Sequence, residues 1–273
     1  MTVRRSLVPA PYDPDRVRSF CIGHRPPVFP LPPGTVFVSE RPCGVEGAWI
    51  YPETYPQLMS GDSASEYPAL FAIRRRLEAE GFDGLVLLTQ YRKFVSTAEI
   101  GRVVDGFPHV KLAGPAEVVS LPPEVLLPHA GVQWLISKPM EYDRGLGQQY
   151  RACHVGRDLL RFLADAVDHG VVTDSFAMNL LSARRLLVSP AIGVYPADAF
   201  IAIFTQLEAA ASAFLAGGYR PRGDYQRRVV GYCLERLNSV LAANRIVDAG
   251  LNGDQVFRYV TVVGDDERLT PTA

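Results

Sequence analysis

An aromatic side chain and two cations follow directly after an apolar segment near the middle of the sequence. The segment Gly84-Leu-Val-Leu-Leu-Thr-Gln90 leads into Tyr91-Arg92-Lys93. A guanidinium group beside an ammonium group suits an anionic ligand such as a pyrophosphate. An ordinary strand that ends in a solvated basic tip would show the same residues. The motif therefore predicts an anion site only in combination with further motifs elsewhere in the chain.

The apolar segment itself predicts a buried β-strand. It lacks the polar alternation of a half-exposed strand, as expected for a parallel strand that is covered on both faces. In open α/β sheets, ligands bind in the crevice outside the carboxyl ends of the strands. His24 follows a second predicted strand, residues 18–22, and is a candidate for the same edge by its position. A loop histidine with a purely structural role is equally compatible with this pattern.

The periodicity of apolar residues divides the chain into two halves near residue 147. Short strand patterns and one helix precede this point, and long amphipathic helices follow it. Further predicted strands lie at 36–38, 118–119, 133–136 and 259–263, and predicted helices at 63–80, 147–168, 197–215 and 224–244. We predict an α/β fold with a sheet in the first half and a helix-rich second half. Residues 1–16 are predicted to be an irregular arm, and residues 17–273 a single domain.

The first long helix carries three residues that can take part in acid–base chemistry. Tyr150, His154 and Asp158 recur every four residues and form one row opposite the apolar stripe, so we expect them to face solvent or a cleft. A His–Asp pair at this spacing can hold an imidazole tautomer or exchange a proton. Local charge pairing on a solvated helix face is the alternative.

The third predicted helix carries a further candidate pair. Arg228 and Glu235 share one face, and the small Gly231 between them leaves room for a ligand or for another helix. A structural salt-bridge network around Glu235 and Arg236 is the alternative. The cluster Arg74-Arg75-Arg76 on the first helix is expected to be its solvated face.

Composition narrows the function classes. The 273 residues carry a formal net charge of −1, which argues against a nucleic-acid binder. The four cysteines form no Cys-x-x-Cys pair, so we expect reduced thiols and a cytoplasmic protein. We expect no secretory signal. The longest apolar stretch, residues 197–215, is predicted too short and too polar to span a membrane, while peripheral contact with a membrane surface stays open.

We predict no metal site. An Asp-x-Asp at the end of a strand, which could hold a divalent cation on a diphosphate, is missing. Asp13-Pro-Asp15 lies in the predicted arm, and Asp265-Asp266 follows the last predicted strand. A Walker A loop and a Gly-x-Gly-x-x-Gly after a strand are also missing.

Four motifs, taken in order, resemble those of a bacterial glycosyltransferase-like family found with capsular and O-antigen polysaccharide genes, formerly a domain of unknown function. That family has a His-Lys-Pro after its first strand and a central Gly-Leu-Val-His-Tyr-Arg-Arg. A Tyr-x₃-His-x₃-Asp-Leu helix and a late Arg-x₂-Gly helix with Glu-Arg-Leu follow. The similar stretches here are Gly23-His24-Arg25-Pro26, 84–93, 150–159 and 228–237, with Glu66-Tyr-Pro-Ala-Leu70 at a helix start. The likeness is collinear from about residue 18 to residue 246.

The resemblance implies a GT-A-like, Rossmann-type fold and sugar transfer from a nucleoside-diphosphate sugar, with UDP as one candidate carrier, to a glycan or small-molecule hydroxyl acceptor. It implies a donor site formed by His24, Arg25, Tyr91, Arg92, Lys93 and Arg228. Candidates for the catalytic base are Asp158, His154 and Glu235. We expect no cofactor beyond the donor and no essential metal, because fixed cations can stabilise a leaving diphosphate electrostatically.

Three departures from the family pattern bear on this function. Gln90 stands where the family has a histidine, Lys93 replaces its second arginine and Arg25 replaces its lysine. The loss of an ionisable group at Gln90 keeps a second hypothesis open, a non-catalytic sugar-nucleotide- or glycan-binding scaffold that partners another transferase. The sequence leaves the donor sugar, the acceptor, the stereochemical outcome and the oligomeric state open.

Overall fold

The computed structural model describes residues 14–52, 59–129, 131–219 and 222–264. Its strands are β1 (Val17–Ile22), β2 (Val36–Ser39), β3 (Trp49–Ile50), β4 (Leu85–Gln90), β5 (Lys93–Val95), β6 (Arg102–Val104), β7 (Phe107–Ala113), β8 (Leu135–Ser137), β9 (Pro139–Glu141), β10 (Arg185–Leu187), β11 (Gly193–Pro196), β12 (Phe257–Arg258) and β13 (Val260–Val263). Its α-helices are α1 (Gly61–Ala64), α2 (Tyr67–Glu80), α3 (Pro115–Val119), α4 (Gly145–Cys153), α5 (Gly156–Asp168), α6 (Asp174–Ser182), α7 (Ala197–Ala216), α8 (Val229–Asp248) and α9 (Gly253–Val256). Residues 1–13 of the predicted arm lie outside the described part, as do Asp265 and Asp266, and Pro14–Arg16 form a 3-10 turn before β1.

A mixed sheet runs through the molecule. The strands β3, β2, β1 and β4 lie side by side in this order and run parallel. β11 pairs antiparallel with β4, and β8 and β12 continue the sheet beyond it. At its carboxyl end β4 turns into β5, which pairs with β13, and β7 and β6 complete this side. The predicted α/β fold is confirmed, although the second half also contributes β11, β12 and β13 to the sheet.

The central strand β4 is covered on both of its faces. Val86 and Leu88 pack into the larger apolar core, whereas Leu87 packs into a smaller core with Phe94. Successive side chains of a strand point to opposite faces, so a strand between two cores needs apolar residues at every position. This explains the unbroken apolar segment and confirms a strand that is buried on both faces, although β4 is parallel to β1 and antiparallel to β11.

Helix α7 lies at the centre of the helical layer. It contacts α2, α5 and α8, and its Phe200, Phe204 and Phe214 are fully buried. Among the described helices, α7 is long enough and apolar enough in composition to cross a membrane, with a mean hydropathy of 1.6. The prediction that this stretch is too short and too polar was therefore wrong. Its position in the core gives a sufficient reason for its apolar character.

Two predicted elements of secondary structure were wrong. Residues 118–119, predicted as a strand, end the helix α3, which starts at Pro115, a residue favoured in the first turn. The single helix predicted over 147–168 is two helices, because His154 has extended backbone angles of φ −138° and ψ 178° and ends α4. The apolar spacing continues across this break, so periodicity alone does not show it.

The arginines of α2 do not all face solvent as predicted. Arg74 and Arg75 both form ion pairs with Glu208 of α7, and the Arg74 side chain is only 12% exposed. Arg76 pairs with Glu80 at a half-exposed position. Two of the three cations thus join α2, in the α/β half of the chain, to the core helix α7.

We expect Glu208→Gln to lower the free energy of unfolding by about 2 kcal/mol, because Arg74 and Arg75 lose a largely buried carboxylate partner, while Arg74 keeps its pair with Glu78. Urea denaturation followed by circular dichroism measures this change. The matched control is Glu80→Gln, for which we expect a loss below about 1 kcal/mol at a half-exposed pair. Equal losses in the two variants would contradict the structural role of Glu208.

Candidate functional site

Two loops leave the sheet side by side at the carboxyl ends of β1 and β4. The register pairs Ile22 with Gln90, the last residues of the two strands. The backbone N–H of Tyr91 donates to the carbonyl of Ile22 at 3.0 Å, and that of Gly23 donates to Val38 at 3.1 Å. The residues that follow each strand therefore start from the same edge of the sheet, where open α/β sheets bind ligands.

Gly23 allows these two loops to approach closely. A Cβ atom at this position would lie 2.8 Å from the Cβ of Tyr91 and 3.0 Å from the ring of Phe37. The next residue, His24, then meets the Tyr91 ring edge-on, with 5.0 Å between ring centroids. The Arg92 guanidinium lies 5.6 Å from the centre of the same ring. Tyr91 thus connects the two predicted motifs physically.

Five exposed groups that carry or can take up positive charge form a cluster at this edge, which we call the basic rim: His24, Arg25, Arg41, Arg92 and Arg228. The pKa of His24 is lowered first by partial desolvation and then by the positive charges of the four arginines. Four of the six residues predicted for the donor site, from three separate segments of the chain, therefore act on one another here. Arg41 was missed by the sequence analysis, although it follows β2 at the same edge.

Below the rim, Lys93 lies with two carboxylates, Glu66 and Glu235, all three of them half-buried. Burial lowers the pKa of Lys93, and the charges of Glu66 and Glu235 act in the opposite direction. Burial also raises the pKa of Glu66, against the fields of Lys93 and Arg228. We call this group the floor. It brings Lys93 to two carboxylates, and the charges of Arg92 and Arg228 in the rim act on it as well.

The floor depends on a close approach between α8 and the turn that joins α1 to α2. A Cβ at Gly231 would lie 2.8 Å from the Oγ of Ser65, which itself has a positive φ of 56°. Of the two interpretations of Gly231, the structure shows the approach of another chain segment. Glu66 follows Ser65 directly, and Glu235 lies one helical turn beyond Gly231, so this contact sets both carboxylates in place.

Glu66 is a residue that sequence reasoning missed as a site candidate. It belongs to the Glu66-Tyr-Pro-Ala-Leu70 stretch that resembles the family's helix start, but its partners come from α8 and β5. A glutamate before a proline-containing first helical turn is a common N-terminal signal. No feature of the local sequence distinguishes it from such a signal.

The row of Tyr150, His154 and Asp158 does not face solvent or a cleft, so this prediction was wrong. All three residues are buried. The break between α4 and α5 removes the common helix face on which the prediction relied. The His154 ring stacks on Tyr232 with 4.0 Å between centroids, and burial together with the charge of Arg236 lowers its pKa to about 4.

Asp158 is engaged in a two-pronged ion pair. Its Oδ2 accepts from Nε of Arg222 at 2.7 Å and its Oδ1 accepts from Nη2 at 2.8 Å. The Asp158 side chain is only 4% exposed. Both oxygens are therefore used to bind a segment that precedes α8, and the described contacts connect them to neither the rim nor the floor.

Histidine, cysteine, aspartate and glutamate side chains are the groups that could hold a metal ion. Within the described residues, no group of three or more His, Cys, Asp or Glu side chains is arranged to hold a metal ion. Asp13, Asp265 and Asp266, considered in the sequence analysis, lie outside the described residues.

Known proteins provide one informative comparison. No protein-family model matches the chain, and no curated protein sequence matches it. Among solved structures, the apo structure of the bifunctional glycosyltransferase WbbM is similar, with a TM-score of 0.70 and 14% sequence identity. The fold is that of a glycosyltransferase. The match covers 91% of this chain and 46% of the other, so the chain spans about half the length of WbbM.

The basic rim makes a prediction that needs no ligand. We expect Arg228→Ala to raise the pKa of His24, because the variant removes one of four positive charges that oppose protonation. The chemical shift of the His24 ring protons as a function of pH, recorded by NMR, measures this change. The control Arg245→Ala removes an exposed arginine near the other end of α8, the helix that Arg228 precedes, and should leave the pKa of His24 unaltered. An unaltered value in Arg228→Ala would show that the rim is not assembled.

Proposed function

We propose that this protein transfers a sugar from a nucleoside-diphosphate sugar to a hydroxyl group of a glycan or small-molecule acceptor. The observation that carries the proposal is the basic rim at the carboxyl edge of β1 and β4, in a chain with a glycosyltransferase fold. Like-charged groups that lie close together repel one another, and a bound anion relieves this repulsion. A diphosphate supplies two phosphate groups for this purpose.

The rim residues have distinct roles in this proposal. Arg92 and Arg228 bind the diphosphate, where a guanidinium fork matches phosphate oxygens. His24, Arg25 and Tyr91 contact the nucleotide, and Arg41 adds a further cation from the loop after β2. As the bond to the sugar breaks, negative charge grows on the leaving diphosphate, and these fixed cations stabilise it. The donor stabilisation in this proposal does not require a metal.

The floor supplies the base that activates the acceptor hydroxyl. Glu66 is the first candidate, because burial raises its pKa toward the range in which a carboxylate accepts a proton efficiently near neutral pH. Glu235 is the second, and its Oε2 also accepts a hydrogen bond from Arg236 at 2.8 Å. His154 and Asp158 are not proposed for this role, since one is stacked in the interior and the other is paired with Arg222.

The resemblance to the polysaccharide family and the fold of WbbM both support sugar transfer as the reaction class. Gln90 supports the second candidate function, a non-catalytic scaffold that binds a sugar nucleotide. It lies half-buried at the end of β4, opposite Lys93 across the turn, and provides no ionisable group there. The two functions share a donor site and differ in turnover.

We expect the protein to bind a UDP-sugar in the presence of EDTA, and Arg228→Ala to weaken this binding by about tenfold or more, since a charge-assisted phosphate contact is lost. Ligand-observed NMR with UDP-, GDP-, dTDP- and CMP-sugars measures the affinity for each donor and identifies the preferred nucleobase. Arg245→Ala is again the control. Absence of binding to every donor, or binding only after addition of Mn²⁺, would contradict this donor site.

We expect Glu66→Gln to lower kcat for donor hydrolysis or transfer by about 100-fold with little change in KM, because a general base contributes about that factor. Release of the nucleoside diphosphate is the readout. Glu235→Gln should have a smaller effect, and Glu124→Gln, an exposed control, none. Full turnover in Glu66→Gln would exclude this residue as the base. Donor binding without turnover in the unmodified protein would favour the scaffold.

A further inference from the structure

A second cleft, of about 270 Å³, opens at the other end of β5 from the floor. Ser96 and Thr97, which follow β5, line one side, and Tyr259, between β12 and β13, lines another. Lys93 and Ser96 are three residues apart along an extended strand, which corresponds to about 10 Å. The cleft is therefore a separate feature from the rim and the floor.

Three cations line this cleft, and two of them gather on one aromatic ring. The ammonium group of Lys138 lies 3.9 Å from the centre of the Tyr259 ring, and that of Lys111 lies 4.8 Å from it. Arg258, the residue before Tyr259, is the third. Lys111 is only 5% exposed although it lies in the middle of β7. A buried ammonium group has lost most of its hydration and needs polar partners to replace it.

The acids of the cleft do not balance these cations. Lys111 donates to Glu99 at 3.2 Å, but the Glu99 side chain is 78% exposed and its charge is largely screened by water. Asp254 is the second carboxylate in the lining. In the part of the chain that the structure describes, neither Lys138 nor Arg258 forms an ion pair with a carboxylate. The lining thus has one more cation than it has acids.

Three hydroxyl groups of the cleft are already hydrogen-bonded. Ser96 Oγ donates to a backbone carbonyl at 3.0 Å, and Thr97 Oγ1 is bonded to a ring nitrogen of His129 at 2.9 Å. Thr261 Oγ1 donates to another backbone carbonyl at 3.3 Å. Nη1 of Arg258 also donates to two backbone carbonyls, at 2.8 and 2.9 Å. Among the described residues, the donors left to meet a ligand are mainly the ammonium group of Lys138 and the other N–H groups of Arg258. Such a set of donors selects an acceptor with negative charge over a neutral one.

We propose that this cleft binds the carboxylate or phosphate group of a small anionic ligand. Lys138 and Arg258, both half-buried, contact the anion directly, and the buried Lys111 adds its charge from below. Tyr259 holds the two ammonium groups in place through its ring face. This inference does not depend on the donor site, because the residues of the two sites do not overlap.

The test is a titration followed by the backbone amide signals of residues 96–99 and 257–261 in two-dimensional NMR. The probes are inorganic phosphate and glucuronate, with neutral glucose for comparison. We expect saturable shifts of these signals with at least one anion and none with glucose, and the two anions distinguish phosphate from carboxylate recognition. Lys138→Ala should weaken the binding by about tenfold, and Arg157→Ala, which removes an exposed cation of α5, by less than about twofold.

The proposal is overturned if neither anion shifts these signals, or if the shifts appear only at residues 23–25 and 91–92 of the rim. It is also overturned if Lys138→Ala and Arg157→Ala weaken binding equally, since the effect would then be one of net charge. Failure of donor binding at the rim leaves the cleft signals unaffected, so the two proposals fail separately. Lys138 lies outside the proposed catalytic groups, and its variant should keep the affinity for a nucleotide sugar.

Discussion

The parallel pairing of β1 with β4 is the constraint on which the rest of the site depends. Because β4 lies between two apolar cores, it has no polar face and its register cannot slip without exposing apolar side chains. This register ends both strands at the same level, Ile22 beside Gln90. Everything that follows the two strands is then forced into one crevice. Gly23 matters for the same reason, since a side chain there would push the two loops apart.

The site is built as two layers of opposite electrostatic character. The rim collects exposed cations whose mutual repulsion is limited by water, whereas the floor places one cation with two carboxylates in a half-buried space. In the low dielectric of the floor, uncompensated charges would be too costly, and the charges of Lys93 and Glu66 act on each other's pKa. An anion at the rim and a proton acceptor beneath it are the two requirements of transfer from a diphosphate donor to a hydroxyl.

The helix-rich half of the chain is an integral part of this site. Glu235 lies in α8 and Arg228 directly precedes it, and both meet β-sheet residues because Gly231 lets Ser65 approach the helix axis. The ion pairs from α2 to Glu208 connect the two halves further, and the pair of Asp158 with Arg222 joins elements within the second half. Several polar residues that could carry out chemistry, judged from the sequence, thus hold these elements together instead.

The cation-lined cleft beside Tyr259 shows how a second polar surface arises from the same sheet. β13 lies between β5 and β7, so its neighbours on both sides contribute to the lining. Lys111 projects from a strand that is paired on both edges and is kept from water by its surroundings. A lysine in such a position is unusual, because a buried ammonium group loses the free energy of its hydration and needs polar partners to replace it.

The sequence by itself determined the features that depend on local pattern. The apolar segment 85–88 was enough to identify a strand between two cores, and its cationic end together with His24 was enough to predict a ligand edge. The α/β class and most helix positions followed from periodicity in the same way. These properties are readable because they come from neighbouring residues and the fixed geometry of strands and helices.

Only the tertiary structure decided which polar residues meet. Arg41 joins the rim and Glu66 joins the floor through partners distant in the chain, and neither has a local signature. The row of Tyr150, His154 and Asp158 turned inward because one residue with extended backbone ended α4, a change of direction that apolar spacing does not record. Charge pairing, burial and pKa depend on residues that are close in space but distant in sequence. A sequence pattern can therefore indicate a residue for chemistry, but the packing around that residue decides whether it is accessible to a ligand.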